Sequence, residues 1–156
     1  MPDEITVRSE AADSLIAVRL VEAMVAEMEQ LYSLPPGTGL GTGAPPADFG
    51  PPSGAFLVIY RGGKPVAGGG VKRDDDGVAE IKRMYVVPEA RRQGLGQLLL
   101  EELEAAARKL GYARIRLDTG ERQPHAQSMY ERAGYHRIEN YNGNRQASFW
   151  GEKILR

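Results

Sequence analysis

Apolar residues recur along the chain at two different periods. Leu15, Val18, Val21, Val25 and Met28 follow one another at steps of three and four, which predicts a helix over residues 11–32 with Ser9 or Asp13 as its cap. A second helical stripe, Leu95, Leu98, Leu99, Leu103, Ala106 and Leu110, predicts a helix over 95–110. Lys109 suits the negative end of that helix and Gly111 its stop. Short apolar or alternating runs predict strands at 5–8, 55–60, 65–73, 78–87, 114–118, 135–139 and 147–155, and a short helix at 124–133 ends at Gly134. The Arg-Gly-Gly-Lys turn at 61–64 and the Asp-Asp-Asp-Gly turn at 74–77 join three of these strands as hairpins. Gly68, Gly69 and Gly70 are expected to weaken the strand at 65–73. Strand, helix and strand across 78–118 require a parallel pair joined by a right-handed crossover. The expected fold is therefore α/β: a mixed, mostly antiparallel sheet with one parallel pair, flanked by helices, in a single domain over 1–156.

Residues 33–54 break the pattern. They hold six of the ten prolines, at 35, 36, 45, 46, 51 and 52, together with many glycines. Such a stretch is expected to be neither helix nor central strand, and loops of this length inside a compact domain are usually functional lids or disordered linkers. Gly39-Leu40-Gly41-Thr42-Gly43-Ala44 within it matches a dinucleotide-binding fingerprint, but no strand precedes it and prolines flank it, so the match is rejected.

Composition narrows the classes of function. A formal net charge of −1 provides no general basic field for nucleic acid or an anionic membrane. With no cysteine, the chain has no disulfide, thiolate metal site or thiol nucleophile. The acidic start, Met1-Pro2-Asp3-Glu4, is unlike a secretory signal, and no apolar run reaches membrane-spanning length. The expectation is a cytoplasmic protein.

The informative segment is Arg91-Arg92-Gln93-Gly94-Leu95-Gly96, after a strand and at the opening of a helix. The first helical turn leaves N–H groups unpaired, and the macrodipole adds partial positive charge. Gly94 and Gly96 remove side chains that would hold a pyrophosphate away, while Arg91 and Arg92 add charge. The segment is not a phosphate-binding loop of the G-x-x-x-x-G-K-[ST] type. Alone it reads equally as a helix start after a basic turn.

Met84-Tyr85-Val86-Val87-Pro88 followed by the R-x-x-G-x-G run resembles the GNAT superfamily of acetyltransferases. A second block, Gln123-Pro124-His125-Ala126-Gln127-Ser128-Met129-Tyr130-Glu131-Arg132-Ala133-Gly134-Tyr135, is similar to that family's N-x-x-A-x-x-L-Y-x-x-x-G-F signature, with Gln123 in the Asn place, Met129 for Leu and Tyr135 for Phe. The resemblance runs from about residue 55 to the end. It implies an acyl-CoA acyltransferase fold whose sheet opens beside the glycine loop to hold acetyl-CoA. It also implies contacts from Met84, Tyr85 and Val86 to pantetheine and thioester, from Arg91, Arg92, Gln93, Gly94, Leu95, Gly96 and Gln97 to the pyrophosphate, and from Gln123 to the pantetheine region. A β-bulge in that strand would free a backbone N–H to polarise the thioester carbonyl.

The implied reaction is direct acetyl transfer to a primary amine of a small molecule or peptide in a ternary complex, without a metal. Tyr130 falls on the family's general-acid tyrosine, or it merely packs. Glu80, eleven residues before Arg91, takes the spacing of a base glutamate. Period-two alternation places Glu80, Lys82, Met84 and Val86 on one face; the plainer reading of Glu80 is a pair with Lys82. Asp118 is the other base candidate, and its plainer reading is a pair with Arg114 or Arg116. His125 and His136 are isolated. The resemblance further places residues 33–54 over the amine site as a mobile cover, and makes a homodimer through exposed strands common. A non-catalytic acyl-CoA-binding sensor is the alternative; it would retain the glycine loop without the acid–base groups.

Overall fold

A computed structural model describes residues 4–38 and 43–156. Met1–Asp3 of the acidic start and Gly39–Thr42 of the rejected fingerprint lie outside these. The elements run β1 (Ile5–Glu10), α1 (Leu15–Leu31), β2 (Ala55–Arg61), β3 (Lys64–Asp75), β4 (Val78–Val86), α2 (Leu95–Lys109), β5 (Arg114–Gly120), α3 (Pro124–Arg132), β6 (His136–Arg137) and β7 (Ala147–Ile154). The seven strands form one sheet in the order β1-β2-β3-β4-β5-β7-β6. Only β4 and β5 pair in parallel; the other neighbours are antiparallel. The mixed sheet inferred from element order is thus the one observed.

Two apolar clusters cover the sheet. Leu95, Leu99, Leu100, Leu103 and Ala107 of α2 pack on Ile59, Val71, Ile81, Ile115 and Leu117. On the other side, Ala17 and Leu20 of α1 meet Phe49, Phe56, Val58 and Tyr60. The buried line of α1 is Ala17, Leu20 and Met24, whereas Leu15 is 63% exposed. The expected stripe was rotated because Ala17 is small enough to approach the sheet, and the larger valines flank it half-buried. Ser14 caps the helix, accepting the Ala17 N–H at 3.2 Å. Ser9 is committed to β1, and Asp13 lies one residue too early.

The Gly/Pro stretch is not wholly irregular. Pro46–Phe49 forms a 3₁₀ turn, and Phe49 is 1% exposed. Its ring occupies the space above Gly70, where any β-carbon would overlap it. Gly68 and Gly69 likewise lie against Leu20 and Phe56, and against Met84 and Leu103. The three glycines are therefore seats for side chains of other elements, and the strand they were expected to weaken is the twelve-residue β3. Phe49→Ala should cost about 3–5 kcal/mol by emptying a filled core position. Gly70→Val should cost about 1–3 kcal/mol by overpacking. Urea unfolding checks both, and a Gly70→Val midpoint equal to wild type would contradict this packing.

The strand expected at 135–139 shrinks to His136–Arg137, because Ile138 is already leaving the ladder and only its N–H still reaches Trp150 O.

Candidate active site

The site begins where the parallel pair ends. β4 and β5 are in register only over Val78–Glu80 against Arg114–Arg116, yet β4 continues to Val86 and β5 to Gly120. Beyond Glu80 the strands part and leave a wedge between them. β4 also carries a bulge there: Gly70 faces Lys82 and Gly68 faces Tyr85, so Arg83 and Met84 together oppose Gly69. Arg83 takes a left-handed φ of 64°. Bulges leave the extra residue outside the ladder and turn the strand.

The bulge corrects the expected faces. Lys82 stays with Glu80, but Met84 is shifted to the α2 side, where it meets Gly69 and Leu103. Glu80, Lys82, Met84 and Val86 therefore do not share one face.

A cleft of about 530 Å³ opens between β4, α1 and the N-terminal ends of α2 and α3. Met84, Tyr85, Val86, Arg91, Arg92, Gly94, Leu95, Gly96, Gln97 and Gln123 all line it, as does His125. Gln93 does not; its side chain accepts from Arg61 instead. Gly94 has a φ of 80° and Arg92 of 63°. Gly94 has no side chain with which to cap α2, and the first helical bond runs from Leu98 N–H to Gly94 O at 3.1 Å. The N–H groups of Leu95, Gly96 and Gln97 precede it and stay unpaired within the helix. Arg91 donates from Nε to Val86 O at 2.9 Å and from Nη2 to Glu27 at 2.7 Å, and rests over the Tyr85 ring.

A smaller pocket of about 110 Å³ continues from this cleft into the wedge, walled by Lys82 and Arg83 on β4 and by Asp118 and Thr119 on β5. Met24, Met28, Met84, Gln123 and Tyr130 border both spaces. Tyr130 is 7% exposed. The polar contact of its hydroxyl is Met84 Sδ at 3.7 Å, which leaves a strong donor for a ligand. Burial, and then the charge of Asp118, push its pKa well above the ordinary tyrosine value. Tyr135 closes α3 and donates to Glu104 of α2 at 2.8 Å, fixing the helix that carries Tyr130.

The two carboxylates differ in position. Asp118 stands on the pocket wall, held by the Asn142 amide and, at 3.3 Å, by Asn144. It does not pair with the neighbouring arginines: Arg114 and Arg116 are engaged by Glu152, and Arg116 also by Asp74. Glu80 is 2% exposed and lines neither space. It accepts from Tyr141 at 2.7 Å and Asn142 at 3.1 Å, with Lys72 and Lys82 at 3.6 and 3.7 Å. Burial, and then the Glu80 charge, raise the Tyr141 pKa. Asn142 thus bridges both carboxylates, and its Oδ1 accepts from Trp150.

His136 lies away from both spaces. Among the described residues no group of three or more His, Cys, Asp or Glu could hold a metal ion. Residues 33–38 and 43–54 line neither space either, so the expected cover is not seen among the described residues. Sequence reasoning also passed over Met24, Glu27, Met28, Arg83, Asn142 and Asn144. Of these, Met28 stands in the apolar stripe of the expected first helix, and the others carry no sequence signal.

Residues 25–135, most of the chain and all of the larger cleft's lining except Met24, match the model of the acetyltransferase (GNAT) family. The chain belongs to that family. An IAA acetyltransferase of Azospirillum brasilense is 38% identical over 81 residues, which cover 51% of this chain and 53% of that one; the match spans about half the length of this relative. The crystal structure of a Klebsiella pneumoniae protein described as an acyl-CoA N-acyltransferase superposes with a TM-score of 0.77 at 29% identity, covering 97% of this chain and 98% of that one. The PaiA N-acetyltransferase of Thermoplasma acidophilum, solved with coenzyme A, shares the fold at 17% identity and a TM-score of 0.71, covering 97% and 99%. The GNAT architecture therefore extends through the N-terminal third, where the motifs stop.

Proposed function

We propose that this GNAT protein transfers an acetyl group from acetyl-CoA directly to a primary amine. The observation that carries this reading is the junction of the two spaces at Met84, Gln123 and Tyr130: a long cleft leads to it from one side and a small polar pocket from the other. The larger cleft suits coenzyme A. The unpaired N–H groups of Leu95, Gly96 and Gln97 and the cation of Arg92 offer a cradle for a pyrophosphate. The thioester brings an activated carbonyl to the junction, and the bulge at Arg83 and Met84 exposes backbone beside it.

In this reading Asp118 accepts a proton as the amine nitrogen bonds to the carbonyl carbon. Lys82 and Asn144 on the pocket wall, with Asn142 and the buried Glu80 behind them, set its shape and charge, so Glu80 acts through its neighbours. The carbon–sulfur bond then breaks, and Tyr130 donates a hydrogen bond or its proton to the leaving sulfur. Its raised pKa keeps it protonated throughout the neutral range. The same shift makes it a weaker acid than an ordinary tyrosine, and a thiolate with a pKa of about 8.5 leaves readily without help. Tyr130→Phe should therefore lower kcat by about 10- to 100-fold, near the low end for general acids. Affinity for acetyl-CoA should stay near wild type.

The reading is tested by heat stability with acetyl-CoA together with release of free CoA thiol across a panel of amines. Stabilisation with amine-dependent release supports a transferase. Stabilisation without release by any amine would mark a binder in its place.

A further inference from the structure

The smaller pocket is walled by a cation that has no carboxylate partner among the described residues. Lys82 and Arg83 wall one side and Asp118 the other. Lys82 is compensated by Glu80 at 3.7 Å. Arg83 is not: among the described residues no carboxylate lies within ion-pair distance of it. Its guanidinium is only partly exposed and rests 4.7 Å from the centre of the Phe49 ring. One Nη donates to the Ala44 carbonyl oxygen, and Nε is buried with no partner. Burial lowers its pKa, opposed at longer range by Asp48. A partly desolvated cation without a counter-ion costs stability. This one is held rigid, on a left-handed backbone, at the bulge that borders the transfer point.

We propose that the acceptor carries a carboxylate beside its amine: an amino acid or close analogue, bound with its carboxylate on Arg83 and its amine at Asp118. The inference rests on the transferase reading above and names the substrate class for the same site. A simple alkylammonium ion would pair with Asp118 and leave Arg83 without a counter-ion, whereas an amino acid supplies both charges. The Phe49 face and the Ala44 carbonyl fix the guanidinium in advance, so little freedom is lost on binding. A space of about 110 Å³ fits a small head group better than a folded protein surface.

The test is thiol release with acetyl-CoA and the twenty protein amino acids, each beside its own carboxamide. The carboxamide is the more reactive amine, being more largely neutral at pH 7, so chemistry alone favours it. The structure predicts the reverse: the best amino acid should exceed its carboxamide in kcat/KM by about tenfold or more. Arg83→Met should remove that preference, mainly through KM and without changing acetyl-CoA affinity, and Arg83→Lys should retain part of it. If Arg83→Met does not fold, the wild-type ratio and Arg83→Lys decide. Carboxamides or simple amines used equally or better, or a preference unchanged in Arg83→Met, would overturn the proposal and leave the transferase reading intact. No release with either class, while acetyl-CoA still stabilises the protein, would overturn both.

Discussion

Replacing Gly96 by glutamate should abolish acetyl-CoA binding while leaving the fold intact. A β-carbon at this position meets only Met129, with Sδ at 3.5 Å and Cε at 3.8 Å, ordinary contact distances. The helix can therefore carry a side chain there. That side chain would extend into the larger cleft and set a negative charge among the N–H groups that open α2. Loss of two charge-assisted hydrogen bonds, each about 1.5–3 kcal/mol, corresponds to about 100-fold or more in affinity. Gly96→Ala, with bulk but no charge, should lose much less. Calorimetric titration with acetyl-CoA measures both, and a folded Gly96→Glu protein with wild-type affinity would place the pyrophosphate elsewhere.

The second large effect is expected at Asp118. An alkylammonium has a pKa near 10, so about one molecule in a thousand is neutral at pH 7. A positioned base typically contributes about 10²–10⁴-fold. Asp118→Asn keeps the shape and can still accept from Asn142 and Asn144, so the pocket should survive. The rate at pH 7 should fall about 100-fold. It should recover as pH rises toward 9, because free neutral amine then increases about 100-fold without the enzyme. Initial rates over that range decide the point. Equal rates for wild type and Asp118→Asn at pH 7 would remove Asp118 from proton transfer and return attention to Glu80.

The parts of this site that were legible in the sequence are those with short spacing. Gly94 and Gly96 open a helix two residues apart, and Gln123, Ala126 and Met129 recur every three residues along the start of α3, so a local pattern carries them. Tyr130 follows in the same block. The faces of β4 were not legible, because period-two alternation assumes a regular strand, and one extra residue at Arg83 moves Met84 to the opposite side. That bulge is fixed by tertiary packing: Gly69 leaves room for Met84 and Leu103. The role of Phe49 was hidden for a similar reason, since the glycine that receives it lies 21 residues later in another element. Spacing points to Glu80 ahead of Asp118 as the base. In the fold they are told apart by the 139–146 segment, which folds over Glu80 through Tyr141 and Asn142 and leaves Asp118 on the pocket wall.

The central claim is that acetyl-CoA and the amine meet at Tyr130 and Met84, each from its own space, with the acetyl group passing directly between them. Initial rates of CoA-thiol release, measured while both substrates are varied, test it most directly. Direct transfer in a ternary complex predicts reciprocal plots that intersect, with acetyl-CoA hydrolysis negligible when no amine is present. Parallel lines, with CoA released in a burst before any amine is added, would show an acetylated protein and contradict the account.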